Sequence, residues 1–136
     1  MPEPRRARGM VDTSVLIDPP PESAWPEEAS VSAFTLAELV ASVHAARDSS
    51  ERAARQDRLQ RVEATLEALP FDTDAARAYG RVFAAITAGG RKARGKRAID
   101  LLIAATALSV GLPLYTRNMD DFSGLEGVVD IVEVPV

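Results

Sequence analysis

The stretch R-A-I-D-L-L-I-A-A-T-A-L-S-V-G-L-P-L-Y-T, residues 97–116, decides how this chain must fold. Its first part, 98–110, is apolar nearly all round, so as a helix it has to be buried against another layer. Gly111 ends it, and G-L-P-L-Y-T then reads as a strand, with Pro113 near the beginning, where a proline is tolerated. A buried helix feeding directly into a strand is the repeating unit of a parallel α/β sheet.

The pattern continues outward in both directions. Residues 6–12 read as a first strand, T-S-V-L-I-D as a helical turn, and P-P-P-E-S-A-W-P as a proline-rich loop in which Trp25 is expected to plug the packing. A-S-V-S-A-F (29–34) reads as a second strand, followed by a helix over about 35–47. On that helix Leu36, Leu39, Val40 and Val43 share one face, and Thr35, Glu38 and Ser42 another. D-S-S-E opens a helix running to about Leu69, with a short strand near Leu69–Phe71. A further helix from about Thr73 to Ala88 is stopped by Gly89-Gly90. N-M-D-D-F makes a turn, and V-D-I-V-E-V (129–134) a last strand. The expectation is one α/β domain over 1–136, with 1–5 as a flexible basic terminus.

Composition narrows the possibilities further. No apolar run approaches the length of a membrane span, and the basic start leads into no apolar stretch of the kind a secretory signal carries. The absence of cysteine excludes disulfides and thiolate zinc sites and suits a cytoplasmic protein. A net charge of −4 argues against indiscriminate coating of nucleic acid. The positive charge is nevertheless clustered. Arg91, Lys92, Arg94, Lys96 and Arg97 precede Asp100, and Arg5, Arg6 and Arg8 precede Asp12, so basic segments stand beside acids in sequence.

Acidic residues recur where strand turns into helix: Asp12, Glu38, Asp100 and the pair Asp120/Asp121. In an open parallel sheet those junctions share one edge, so distant carboxylates can meet in one cleft. Carboxylates without histidine or cysteine suit a hard divalent cation, and hence metal-assisted phosphodiester cleavage. Helix capping offers a rival account for several of them. Asp12 can cap the turn that follows it, and Thr35-Leu-Ala-Glu38 and Asn118 with Asp121 both fit a capping box. Asp100 resists that account best, because it enters the most apolar helix of the chain, where a carboxylate needs a cation or several donors.

Other chemistries fit less well. His44 is the single histidine, which excludes a two-histidine nuclease and an H-E-x-x-H zinc site. No glycine-rich phosphate loop follows the first strand. Ser14 has no activating base in sight and is better suited to orienting a water or a phosphate. An aspartyl-phosphate phosphatase would need an acid two residues after Asp12, where Ser14 stands.

V-D-T-S-V-L-I (11–17), F-T-L-A-E-L (34–39), R-A-I-D-L-L-I-A-A-T-A (97–107) and L-Y-T-R-N-M-D-D-F (114–122) together resemble a PIN-domain ribonuclease of the VapC toxin type. The four motifs occur in family order and span nearly the whole chain. The resemblance implies an α/β/α sandwich around a parallel sheet of about four or five strands, usually as a homodimer. It implies Mg or Mn held by Asp12, Glu38 and Asp100, with Thr13 or Ser14 assisting and Thr116 as a further supporting residue. Where the family often has a fourth acid this chain has Asn118, so Asp121, or failing that Asp120, is expected to substitute. Arg97, Lys96 and Arg94 are expected to meet the RNA backbone. The resemblance further implies a VapB-like antitoxin as partner. The rival from another class is a catalytically silent binding protein with the same fold.

Overall fold

The computed structural model describes residues 6–92 and 94–135. The basic terminus expected at 1–5 lies outside the described residues. Among the described residues, five strands form one sheet: β1 (Arg8–Val11), β2 (Glu28–Ser32), β3 (Glu67–Leu69), β4 (Leu114–Thr116) and β5 (Ile131–Glu133). Their order is β3-β2-β1-β4-β5 and every pair is parallel. Chain direction across the sheet therefore reverses between β1 and β4, the switch point where open α/β sheets leave a crevice beyond the strand ends.

Among the described residues, five α-helices cover the sheet: α1 (Thr13–Ile17), α2 (Ala33–His44), α3 (Ser49–Thr65), α4 (Thr73–Ala88) and α5 (Lys96–Ser109). Strand alternation divides the core in two. Met10 and Leu114 point into one half, with Val82 and Ile86 of α4 and Leu101, Ile103 and Ala104 of α5. Val11, Val31 and Tyr115 point into the other, with Val15 of α1, Leu39 and Val43 of α2, and Leu59 and Val62 of α3. The result is the three-layer α/β/α arrangement read from the sequence. Gly9 is required on β1, since a Cβ there would lie 2.6 Å from the Tyr115 ring.

Local chemistry explains where the element boundaries differ from expectation. The second strand ends at Ser32, because the Ser32 hydroxyl accepts the Thr35 N–H at 3.0 Å and starts α2 at Ala33. Glu38 consequently sits in the second turn of α2 and caps nothing, which removes the capping-box account of it. The helix opened by D-S-S-E is capped as expected, Asp48 accepting from Glu51 N–H at 2.8 Å, but it ends at Thr65, and β3 starts earlier than expected, sharing only Leu69 with the expected 69–71. Val40, grouped with the apolar face of α2, is 42% exposed, while Thr35, grouped with the polar face, is fully buried. Trp25 is half-buried against the second core, its indole donating to Pro20 O at 3.0 Å, as the packing reading expected. Gly90, at φ 77°, turns the chain out of α4.

Candidate functional site

Asp12 follows β1, which stops one residue before the expected end, and caps α1 as the capping account expects. Its carboxylate is almost wholly bonded: Oδ1 accepts the Ser14 N–H (3.1 Å) and the Ser14 hydroxyl (2.5 Å), and Oδ2 accepts the Thr116 hydroxyl (2.6 Å). Ser14 Oγ in turn accepts the Arg117 N–H (3.1 Å), and Thr116 Oγ1 the Asn118 N–H (3.0 Å). The V-D-T-S and L-Y-T-R-N motifs are thus stitched together across the β1–β4 switch point. Burial raises the Asp12 pKa, while the Ser14 and Thr116 hydroxyls pull the other way.

Glu38 reaches the same place from α2, where its Oε1 accepts the Thr13 hydroxyl at 2.7 Å. Thr13 also lies 3.3 Å from the Thr35 hydroxyl, itself 3.3 Å from that of Ser32. Asp100 lies in the second turn of α5 rather than at its cap, because α5 begins at Lys96 behind Gly95. It is 8% exposed. Burial, and next the negative charge of Asp121, push its pKa up to about 6, against the opposing pull of Lys96. Asp121 projects from a 3-10 turn (Met119–Phe122) and pairs with Lys96 at 3.5 Å. Asn118, at the start of that turn, makes no side-chain cap, so the second capping box is absent too.

Asp12, Thr13, Ser14, Glu38, Lys96, Asp100, Asn118 and Asp121 line one small cavity of about 30 Å³, together with Ile103. That is room for a water or an ion. Asp120 is exposed and lines only the wider polar groove of about 650 Å³ beside it, with Arg117, Met119 and Glu133. A more apolar cavity of about 550 Å³ runs along β5 past Val128 and Ile131; it lies away from Asp12, Glu38 and Asp100, so its size gives it no claim to the chemistry.

Among the described residues, no three acidic or histidine side chains already form a metal cage. Glu38 is bonded to Thr13, Asp121 is paired with Lys96, and both Asp12 oxygens accept hydrogen bonds. The donor set nevertheless fits a hard divalent cation. All of it is carboxylate oxygen, and the like charges that raise the Asp100 pKa are what such a cation would offset.

The basic residues divide differently from the sequence reading. Lys96 stands at the cavity, and Arg94 is exposed just ahead of α5. Arg97 instead directs Nη1 to Asp120 O (3.1 Å) and Nη2 to Ser123 O (2.6 Å). Arg6 and Arg8 lie at the opposite end of β1 from Asp12, since a strand advances ~3.3 Å per residue, and they pair with Asp130 (2.6 Å) and Glu28 (3.8 Å). They do not flank the cavity. His44 is exposed in the last turn of α2. Arg117 was not singled out by the sequence. Its guanidinium donates to Asp18 O (2.6 Å) and Pro135 O (2.8 Å), tying the end of α1 and the chain after β5 to the stitched motifs.

A parallel five-stranded sheet with four acids gathered at its switch point defines a PIN domain, and the PIN domain family model matches residues 9–127. The chain belongs to that family. Within it, the chain is 39% identical over 135 residues to Ribonuclease VapC5 of Mycobacterium tuberculosis, covering 94% of this chain and 96% of that one. It is similar in structure to VapBC-5, a toxin–antitoxin system member from the same organism, with a TM-score of 0.82 over 96% of this chain and 99% of that chain at 39% identity. The DNA-bound VapBC of Salmonella typhimurium shares the fold, with a TM-score of 0.70 at 24% identity over 93% of this chain and 97% of that chain.

Proposed function

We propose that this chain is a divalent-metal-dependent endoribonuclease toxin, held in check by a VapB-like antitoxin. One observation carries the reading: carboxylates from four separate segments line one cavity in a chain 39% identical to a VapC ribonuclease. Asp12, Glu38 and Asp100 would hold Mg or Mn, which when bound polarises the scissile phosphate and acidifies water.

The chain's own side chains do the rest. Ser14 and Thr116 fix the Asp12 carboxylate, and Thr13 fixes that of Glu38. Asp121 accepts the proton of the attacking water. The Lys96 ammonium, 71% exposed at the cavity mouth, neutralises the phosphate, with Arg94 gripping the flanking backbone. The antitoxin masks the carboxylates by offering them a basic side chain. A homodimer acting on RNA in the cytoplasm completes the reading; no helix among the described residues is long and apolar enough to cross a membrane.

The test is cleavage of total RNA by the purified chain in Mg, in Mn and in EDTA, beside Asp100→Asn. Cleavage that needs the metal and vanishes in the folded variant is the expected result. Equal cleavage in EDTA overturns the metal site, and RNA binding with no cleavage in either metal returns the silent-binder reading.

A further inference from the structure

Arg97 comes immediately after Lys96 and three residues before Asp100, so on α5 it shares a side with Asp100. Its sequence position suggests a hand on the RNA backbone, but its guanidinium is spent elsewhere. Nη1 donates to Asp120 O at 3.1 Å and Nη2 to Ser123 O at 2.6 Å, while Nε is buried without a partner. The two carbonyls bracket Asp121 in sequence, so the fork grips the 3-10 turn on both sides of the residue that faces the cavity. Asp120 O is shared, accepting also the Ser123 N–H (3.3 Å) and hydroxyl (3.0 Å), which draws the turn tight.

The turn is also held by Phe122, which is 2% exposed in the core, by the Asn118 N–H donating to Thr116 Oγ1 at 3.0 Å, and by the Lys96–Asp121 pair at 3.5 Å. Those contacts hold the start of the turn, its core side and the Asp121 carboxylate, whereas the fork alone grips the backbone carbonyls on either side of Asp121 from α5. The start of α5 also lacks a side-chain cap. One arginine therefore ties together the two elements that carry Asp100 and Asp121, and a planar fork does so with a geometry a point charge cannot reproduce.

We infer that Arg97 is a positioning residue, which sets Asp121 against Asp100 by clamping the Met119–Phe122 turn onto α5 and does not itself bind the substrate. The inference rests on the proposed nuclease reading for its consequence, though not for the clamp. Loss of the fork lowers turnover by misplacing Asp121, and leaves RNA affinity intact because no phosphate contact is lost.

The experiment compares wild type, Arg97→Met and Arg97→Lys in three measurements. In Mg, both variants are expected to lose ~10- to 100-fold in kcat, with KM within about twofold of wild type. In EDTA, RNA affinity and its dependence on salt are expected to stay unchanged. By NMR, the Asp121 and Ser123 amides, bonded to Asn118 O (3.0 Å) and Asp120 O (3.3 Å), are expected to exchange faster in both variants. Arg97→Lys keeps the charge and guards against a folding failure in Arg97→Met. Recovery of kcat in Arg97→Lys, or a loss confined to KM with a salt slope shallower by about one, makes Arg97 a phosphate contact and overturns the inference. Unchanged kcat in Arg97→Met overturns it also. Were wild type inert in every metal, the nuclease reading would fall, while unaltered amide exchange would separately sink the clamp.

Discussion

The Thr116 hydroxyl donates to Asp12 Oδ2 at 2.6 Å, joining the ends of β4 and β1 across 104 residues of chain. Thr116 is fully buried, and its oxygen also receives the Asn118 N–H at 3.0 Å. A single hydroxyl thereby fixes the rotation of the Asp12 carboxylate and the exit of the loop that carries Asp121. Thr116→Val keeps the shape and removes both bonds. It should cost about 1–3 kcal/mol in stability, because a buried carboxylate oxygen and a backbone N–H lose their partner. Metal-dependent RNA cleavage should fall by roughly 10- to 100-fold, as for loss of a group that orients a ligand. Urea denaturation and single-turnover kinetics check the two halves, and a variant with wild-type turnover would refute the orienting role.

Asp120 and Asp121 are adjacent, yet only Asp121 lines the carboxylate cavity. Asp121→Asn is expected to lower kcat by ~10²-fold or more, the usual range for a positioned acid–base group. Asp120→Asn changes an exposed side chain and should leave kcat within about twofold. The two variants assayed side by side decide which acid completes the site, and equal losses would remove the distinction.

The fold was legible because its signals are local. Apolar faces, glycine stops and the Asp48 cap each act within a few residues, and they place the layers correctly. Boundaries slipped where two local signals competed: in A-S-V-S-A-F, the apolar Ala33 and Phe34 extend a strand, but the Ser32 cap claims them for α2. Asp12, Glu38 and Asp100 could be picked out because each follows a strand or opens a helix pattern. Their surroundings could not. The Thr13–Glu38 bond joins residues 25 apart, and the Arg97 fork spans 23 and 26 residues. Proximity in sequence to Asp100 is what suggests Arg97 as a substrate contact; its bonds to Asp120 O and Ser123 O depend on a turn that sequence alone does not orient.

Lys96 is the cation best placed to meet a phosphate, since it borders both the cavity and the wider groove. Asp121, and more weakly Asp100 and Glu38, raise its pKa, so it stays an ammonium throughout the range in which RNA is handled. Lys96→Met should raise KM several-fold and make the salt dependence of RNA affinity shallower by about one. Filter binding of a non-cleaved RNA in EDTA at several salt concentrations measures the slope directly. An unchanged slope would mean that this ammonium serves Asp121 alone.

Asp100, together with the buried Asp12, makes the stability of the metal-free protein depend on pH. Its folded pKa is about 6 against an ordinary 3.8, so between those values the folded chain holds the proton more tightly than the unfolded chain. The charged form therefore weakens the fold fully above about pH 6, and the penalty fades as pH falls, vanishing below about 3.8. Asp100→Asn is uncharged at every pH and escapes the penalty. In EDTA at pH 7.5 it should be more stable than wild type by about 1–2 kcal/mol, less than the full shift implies because solvent reaches the cavity. The advantage should disappear near pH 4. Saturating Mg should reverse the order at pH 7.5, since a cation that binds the folded wild type stabilises it by mass action while the variant gains little. Urea denaturation at the two pH values, with and without Mg, gives all four comparisons. An Asp100→Asn variant less stable than wild type in EDTA at pH 7.5 would show that the carboxylate is already compensated by its neighbours and needs no cation.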